Sequence, residues 1–203
     1  FLAVDFDMTL IDRHTEGRWS GTASELLRHV RPEMRQLLRD ALDAQMFVAI
    51  VTLSPQTSLI REVTRLLFPK DFQLIIIRGN DGNWFYGGQG SSRGKQPHIA
   101  SAVEELSHAH AAQISRRSTL LIDDDAQNIN DALVNGVNAI LYAPHDPSCL
   151  QRGVAAVAAR AHVGLLLRLG GAAAAQDGPA AHRYMLTGLT CTCHMHMCMC
   201  MDM

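Results

Sequence analysis

The stretch Phe1-Leu2-Ala3-Val4-Asp5-Phe6-Asp7, continued by Thr9-Leu10-Ile11, decides how this 203-residue chain is to be read. An apolar run short enough to be a buried strand ends in two carboxylates placed two residues apart. A strand repeats every two residues, so Asp5 and Asp7 are expected to face the same way at its carboxyl end. Two like charges that close are costly unless a cation lies between them or one of them holds a proton. A strand ending in acidic loop residues with no role is the plainer alternative, and the rest of the chain has to choose.

Apolar runs rich in β-formers recur downstream, at Phe47–Thr52, Phe72–Ile77, Thr119–Asp123 and Ala139–Tyr142. With residues 2–5 they predict about five short strands buried on both faces, as in a parallel sheet. Helical spacing predicts helices between them, over Pro32–Gln45, Ser58–Leu67, His98–Leu106 and Ala126–Val134. This alternation predicts an α/β fold: a three-layer, Rossmann-like open parallel sheet with helices on both faces. Ligands of such sheets bind beyond the carboxyl ends of the strands, so the residues just after each strand are where chemistry is expected.

Two insertions interrupt the pattern. One runs from Arg13 to Arg31. The other runs from Gly79 to Gly94, and its Asn80-Asp81-Gly82-Asn83 predicts a hairpin or flap. Trp19, Trp84 and Tyr86 on these insertions either line the mouth of a site or pack their own loops, and His14 is expected to be solvated. Neither insertion is long enough to be a separate domain. The expected organisation is a single domain over residues 1–168 and a linker with a low-complexity, disordered Cys/Met/His tail over 169–203. That tail, from Cys191 to Met201, alternates Met with Cys or His over almost its whole length. It reads as a translated dinucleotide repeat or, alternatively, as a soft-metal site.

Composition excludes several classes. Charged residues make up 19% and the formal net charge is −2, so nucleic acid and anionic membrane are not expected partners. No apolar run approaches the roughly 20 residues that span a bilayer. Asp5 and Asp7 break any signal-peptide pattern at the start. Of five cysteines only Cys149 precedes residue 190, which excludes a disulfide framework and suits a reducing, cytoplasmic setting.

The strand ends carry the chemistry. The second strand ends in Val51-Thr52-Leu53-Ser54, whose hydroxyls can donate to a phosphate oxygen or simply cap the next helix. Lys95, in Gly94-Lys95-Gln96-Pro97, opens a helix where the dipole disfavours a cation, so an anion is expected beside it. The glycine-rich run before it is no P-loop: Gln89 stands at the first required glycine and Gln96 at the magnesium-binding hydroxyl. The fourth strand runs into Asp123-Asp124-Asp125 and then Asn128. Such a crowd of hard oxygen ligands suits Mg²⁺, with Asp125 or Asn128 also available as a helix cap.

The order Asp-x-Asp-x-Thr, then Thr, then Lys, then Asp-Asp-x-x-x-Asn, over about residues 1–145, resembles the haloacid dehalogenase (HAD) superfamily, in particular its capless aspartate-nucleophile phosphatases. The resemblance implies a Mg²⁺-dependent phosphomonoester phosphatase working through an aspartyl-phosphate. Asp5 would be the nucleophile, and Asp7 the acid for the leaving group and then the base for water. Thr52 and Lys95 would hold the phosphoryl group. Mg²⁺ would be held by Asp5, the backbone carbonyl of Asp7, Asp124 and Asp123, with Thr9 and Asn128 in support. The substrate would be a phosphoprotein or a small phosphoester. A phospho-receiver module uses similar groups but places its lysine on the last strand, after the phosphorylated aspartate, whereas Lys95 precedes Asp123. A catalytically silent relative that senses phosphate or acts as a scaffold is the other alternative.

Overall fold

A computed structural model describes residues 1–88 and 90–159; the expected tail after residue 168 lies outside the described residues. Five strands, β1 (Leu2–Val4), β2 (Val48–Val51), β3 (Ile75–Arg78), β4 (Leu120–Asp123) and β5 (Asn138–Leu141), form one sheet in the order β3-β2-β1-β4-β5. All four pairings are parallel. The helices are α1 (Ala23–Leu27), α2 (Pro32–Asp43), α3 (Thr57–Leu67), α4 (Gln96–His110) and α5 (Ala126–Val134), and a further helix occupies residues 148–159. The three-layer α/β architecture read from the alternation is the one observed.

The register explains why the strands read as continuous apolar runs. Val4 lies beside Ile50 on one side and Ile122 on the other, and Ala3 beside Ala49 and Leu121. Even-numbered β1 residues join an apolar layer with Met34, Leu38, Ile60 and Val63 from α2 and α3. Ala3 joins the opposite layer, with Ile99, Ala102 and Leu106 of α4 and Ala132 of α5. Small residues at positions 3 and 49 let α4 lie close on the sheet, so each central strand is covered on both sides.

Chain order runs outward from β1 to β3, then returns to β4 on the other side of β1. The direction of winding therefore changes between β1 and β4, and the crevice at their carboxyl ends is where such sheets take ligands. Asp5 directly follows β1 and Asp123 closes β4.

Several boundaries differ from the sequence reading, each for a local reason. The chain leaves the strand at Asp5, and Phe6–Leu10 form a tight turn whose Leu10 and Ile11 amides donate back to the Asp5 and Phe6 carbonyls. Phe72–Leu74 is a 3-10 turn rather than the start of β3, because the Asp71 and Phe72 amides both bond Phe68 O at the end of α3. Helix α4 starts two residues earlier than its periodicity suggests, and Pro97 fits the first turn, where its missing amide hydrogen costs nothing. The first insertion contains α1, opened by a reciprocal Thr22–Glu25 capping box.

The expected hairpin at Asp81-Gly82 is absent. The Asp81 carboxylate is engaged by Thr57 Oγ1 and by the Asn83 backbone and side-chain nitrogens, so this Asp-Gly pair closes a side-chain-bonded turn that anchors the loop to α3. No helix among the described residues is long and apolar enough to cross a membrane.

Candidate active site

The strand ends build the inner wall of the site. Asp5, just after β1, and Asp123, the last residue of the adjacent parallel β4, are 6% and 1% exposed. Lys95, 2% exposed, reaches between them from the N-cap of α4. Its ammonium pairs with Asp5 Oδ1, lies 3.3 Å from Asp123 Oδ2, and donates to Val51 O at 2.9 Å. The expected anion beside this helix-opening lysine is thus supplied by the protein itself. Gly94 allows the approach: its φ is +51°, and a Cβ there would lie 2.8 Å from Asn128 Oδ1.

Asp124 completes the acidic set and is positioned by Thr9. The Thr9 hydroxyl donates to Asp124 Oδ1 at 2.9 Å and accepts from Asp124 N at 3.0 Å. That reciprocal pair ties the turn after β1 to the end of β4. Asn128 Nδ2 donates to both Asp123 oxygens, at 3.2 and 3.1 Å. Asp125 is the cap: its side chain accepts from Gln127 N at 2.7 Å at the start of α5.

Electrostatics inside this wall are unbalanced. Burial, with Asp123 adding repulsion, raises the Asp5 carboxyl to about 7 against the pull of Lys95. Burial likewise raises Asp123, opposed by Lys95, the Asp125 amide and Asn128. Burial works against the charge on Lys95, but Asp5 and Asp123 outweigh it and hold the ammonium above its ordinary value. These directions are consistent: one ammonium cannot satisfy two buried carboxylates, so Lys95 stays charged while both acids are left short of positive charge.

The third acid, Asp124, brings a carboxylate oxygen into the same cluster, with one oxygen from each of Asp5, Asp123 and Asp124 within 4.8 Å of the others. A set of hard oxygen donors short of positive charge fits a divalent cation such as Mg²⁺.

The outer wall is built differently. Strand periodicity does not extend to Asp7, which lies in the turn after β1. Its carboxylate accepts from Thr15 Oγ1 at 2.9 Å and Thr15 N at 3.2 Å. His14 Nδ1 stands 3.3 Å from Asp7 Oδ2, with the imidazole 68% exposed. His14 is therefore open to water, as expected, yet it also faces the proposed acid. Neither His14 nor Thr15 was identifiable as a partner of Asp7, because spacing within an irregular loop says nothing about which way it folds back.

Inner and outer walls enclose a cleft of about 360 Å³. Asp5, Asp7, Thr52, Lys95, Asp123, Asp124 and Asn128 all line it, as do Met8, Glu16, Gly17 and Ser54. Thr52 is 2% exposed and its Oγ1 accepts from Ser54 N at 3.1 Å, which leaves its own proton to give. None of Trp19, Trp84 and Tyr86 lines the cleft. Trp19 exchanges hydrogen bonds with the Gln56 side chain, and Trp84 donates to Gly79 O and packs edge-on against His98.

His98, one turn along α4 from Lys95, is buried with its Nε2 3.0 Å from Asn80 Oδ1. Burial, reinforced by the nearby Lys95 and Arg78 charges, lowers its pKa to about 4.

Fold and site together define an α/β protein with a metal-competent acidic cleft at the switch in winding direction. No protein-family model and no curated protein matches the sequence. Among solved structures, that of an uncharacterized protein from Corynebacterium glutamicum ATCC 13032 Kitasato is similar over 74% of this chain and 89% of its own, with 17% sequence identity and a TM-score of 0.41.

Proposed function

We propose that this chain is a capless member of the haloacid dehalogenase superfamily, a Mg²⁺-dependent phosphomonoester phosphatase. The observation that carries the reading is the convergence of Asp5, Asp123 and Asp124 on one point beside a buried lysine. Such a group is costly to fold without a bound cation, so its presence argues for one. Mg²⁺, held by Asp5, Asp123, Asp124 and the Asp7 carbonyl, would supply positive charge to the phosphoryl oxygens.

The protein's own groups divide the remaining work. An Asp5 oxygen attacks phosphorus, the ester P–O bond breaks, and an aspartyl-phosphate forms. Asp7, fixed by Thr15, gives a proton to the departing oxygen and takes one from the water that later attacks phosphorus, breaking its bond to the Asp5 oxygen and releasing phosphate. The free Thr52 proton and Lys95 bind the transferring oxygens. All three Lys95 hydrogens already have acceptors in Asp5, Asp123 and Val51, so Lys95 exchanges one of these for a phosphoryl oxygen as substrate enters. Among the described residues no inserted domain covers the cleft, which suits a phosphoprotein as well as a small phosphoester. The free thiol of Cys149 fits a reducing, cytoplasmic setting.

The test is hydrolysis of phosphopeptides, sugar phosphates and nucleotides with and without Mg²⁺. The expected result is Mg²⁺-dependent release of phosphate that falls at least about a thousandfold in Asp5→Asn. A wild type inert on every phosphoester, or an Asp5→Asn variant of undiminished rate, would refute the reading.

A further inference from the structure

A second concavity of about 510 Å³ lies on the α4–α5 side of the sheet, within the size range of small-molecule sites. Its walls include Ile99, Val103, Ile114 and Val137, continuous with the apolar layer beneath α4. Consecutive residues separate it from the cleft: Lys95 lines the cleft and Gln96 lines this groove. The aromatic and glycine-rich segment of the second insertion, which the cleft does not use, borders one end through Tyr86 and Gly88. A Cβ at Gly88 would lie 2.3 Å from Tyr86 Oη, so the backbone here lies directly against that ring.

Two polar groups in the groove are incompletely used. Gln96 is 2% exposed, and its Oε1 accepts from Arg116 Nη1 at 3.3 Å. That bond fixes the remaining amide atom as nitrogen, a donor that is buried with no partner. A buried donor in that state is unfavourable, and an incoming acceptor relieves the cost. Arg116 makes no ion pair among the described residues; its guanidinium meets only neutral oxygens, those of Gln96 and the Asn135 carbonyl at 3.3 Å. The groove thus offers one cation, one spare amide donor and four aliphatic walls.

We propose that this groove is a second ligand site, for a small amphipathic monocarboxylate. The carboxylate takes the planar guanidinium of Arg116 and, after a turn of the side chain, the Gln96 amide. The apolar body lies along Ile99, Val103, Ile114 and Val137. Glu104 also lines the groove, and its charge opposes a phosphate dianion more than a monocarboxylate, whose single charge one arginine offsets. The proposal does not depend on the phosphatase reading.

Octanoate is the probe, titrated into the full chain by calorimetry and followed by NMR at the Gln96 side-chain amide, with octan-1-ol and acetate as controls. Octanoate is expected to bind and to shift the Gln96 amide resonance, while acetate does neither. Arg116→Gln should weaken octanoate at least about tenfold, the scale of one charge-assisted contact, and leave octan-1-ol within about twofold. Ala100→Trp, which fills the groove from α4, should abolish binding of both. Failure of wild type to bind octanoate at millimolar concentration overturns the proposal. So does an affinity undiminished in Arg116→Gln.

Discussion

The two walls of the cleft show two ways of positioning a carboxylate. The inner wall places Asp5 just after β1 and Asp123 at the end of the adjacent β4, buries both, links them through Lys95 and holds Asp123 with Asn128. The outer wall places Asp7 on a turn and holds it with one loop threonine, beside an exposed histidine. Inner positions are set by backbone register and cannot shift without moving the sheet. Outer positions are set by a few hydrogen bonds that can be remade. This division suits the chemistry proposed: a nucleophile and metal ligands need fixed geometry, whereas a group that gives and takes protons needs access to water and the leaving group.

Lys95→Met is the most direct way to break that contrast. It leaves two buried carboxylates without their ammonium and should cost about 3 kcal/mol in urea unfolding measured without Mg²⁺. Asp7→Asn keeps an oxygen for Thr15 to bond and should cost less than about 1 kcal/mol. Equal losses in the two variants would show that the inner wall is no more constrained than the outer.

A smaller effect is expected behind the inner wall, at His98. Its folded pKa is lowered to about 4, against about 6.5 in an unfolded chain. The unfolded state therefore takes up this proton first as pH falls, and the stability His98 contributes drops between about 6.5 and 4. The loss should be on the order of 2 kcal/mol, allowing for partial solvent screening. In His98→Gln this contribution should vanish, so the unfolding free energy of wild type should fall relative to that of the variant over this range. A slope identical to wild type would place the imidazole in water.

The smallest effect belongs to His14. Its contact with Asp7 is exposed and such pairs contribute about 0–1 kcal/mol, so His14→Ala should lower the hydrolysis rate less than about fivefold. A drop of several hundredfold would move His14 into the proton-transfer machinery and merge the two walls into one unit.

Legibility in the sequence follows the same division. Asp5, Asp123 and Asp124 could be read together because parallel strands put their carboxyl ends at one edge, whatever lies between them. Lys95 announced itself by being a cation where a helix dipole disfavours one. The Asp7 partners could not be read. Thr15 and His14 reach Asp7 only through the path of an irregular loop, and no periodicity encodes that path. The Asp81-Gly82 signal failed for a related reason: Thr57 and Asn83 engage the aspartate, and tertiary anchoring overrides a local hairpin preference. The Gln96–Arg116 groove was hidden as well, since Gln96 owes its burial to the elements packed around it.

The account rests on Asp5 being an activated nucleophile beside a divalent cation, and phosphoryl-analogue trapping tests that claim most directly. Fluorine NMR of the protein with beryllium fluoride and Mg²⁺ should show a bound trifluoroberyllate signal that disappears when Mg²⁺ is withdrawn and in Asp5→Asn. A protein that shows no bound signal with Mg²⁺ present, or one whose signal persists in Asp5→Asn, would contradict it.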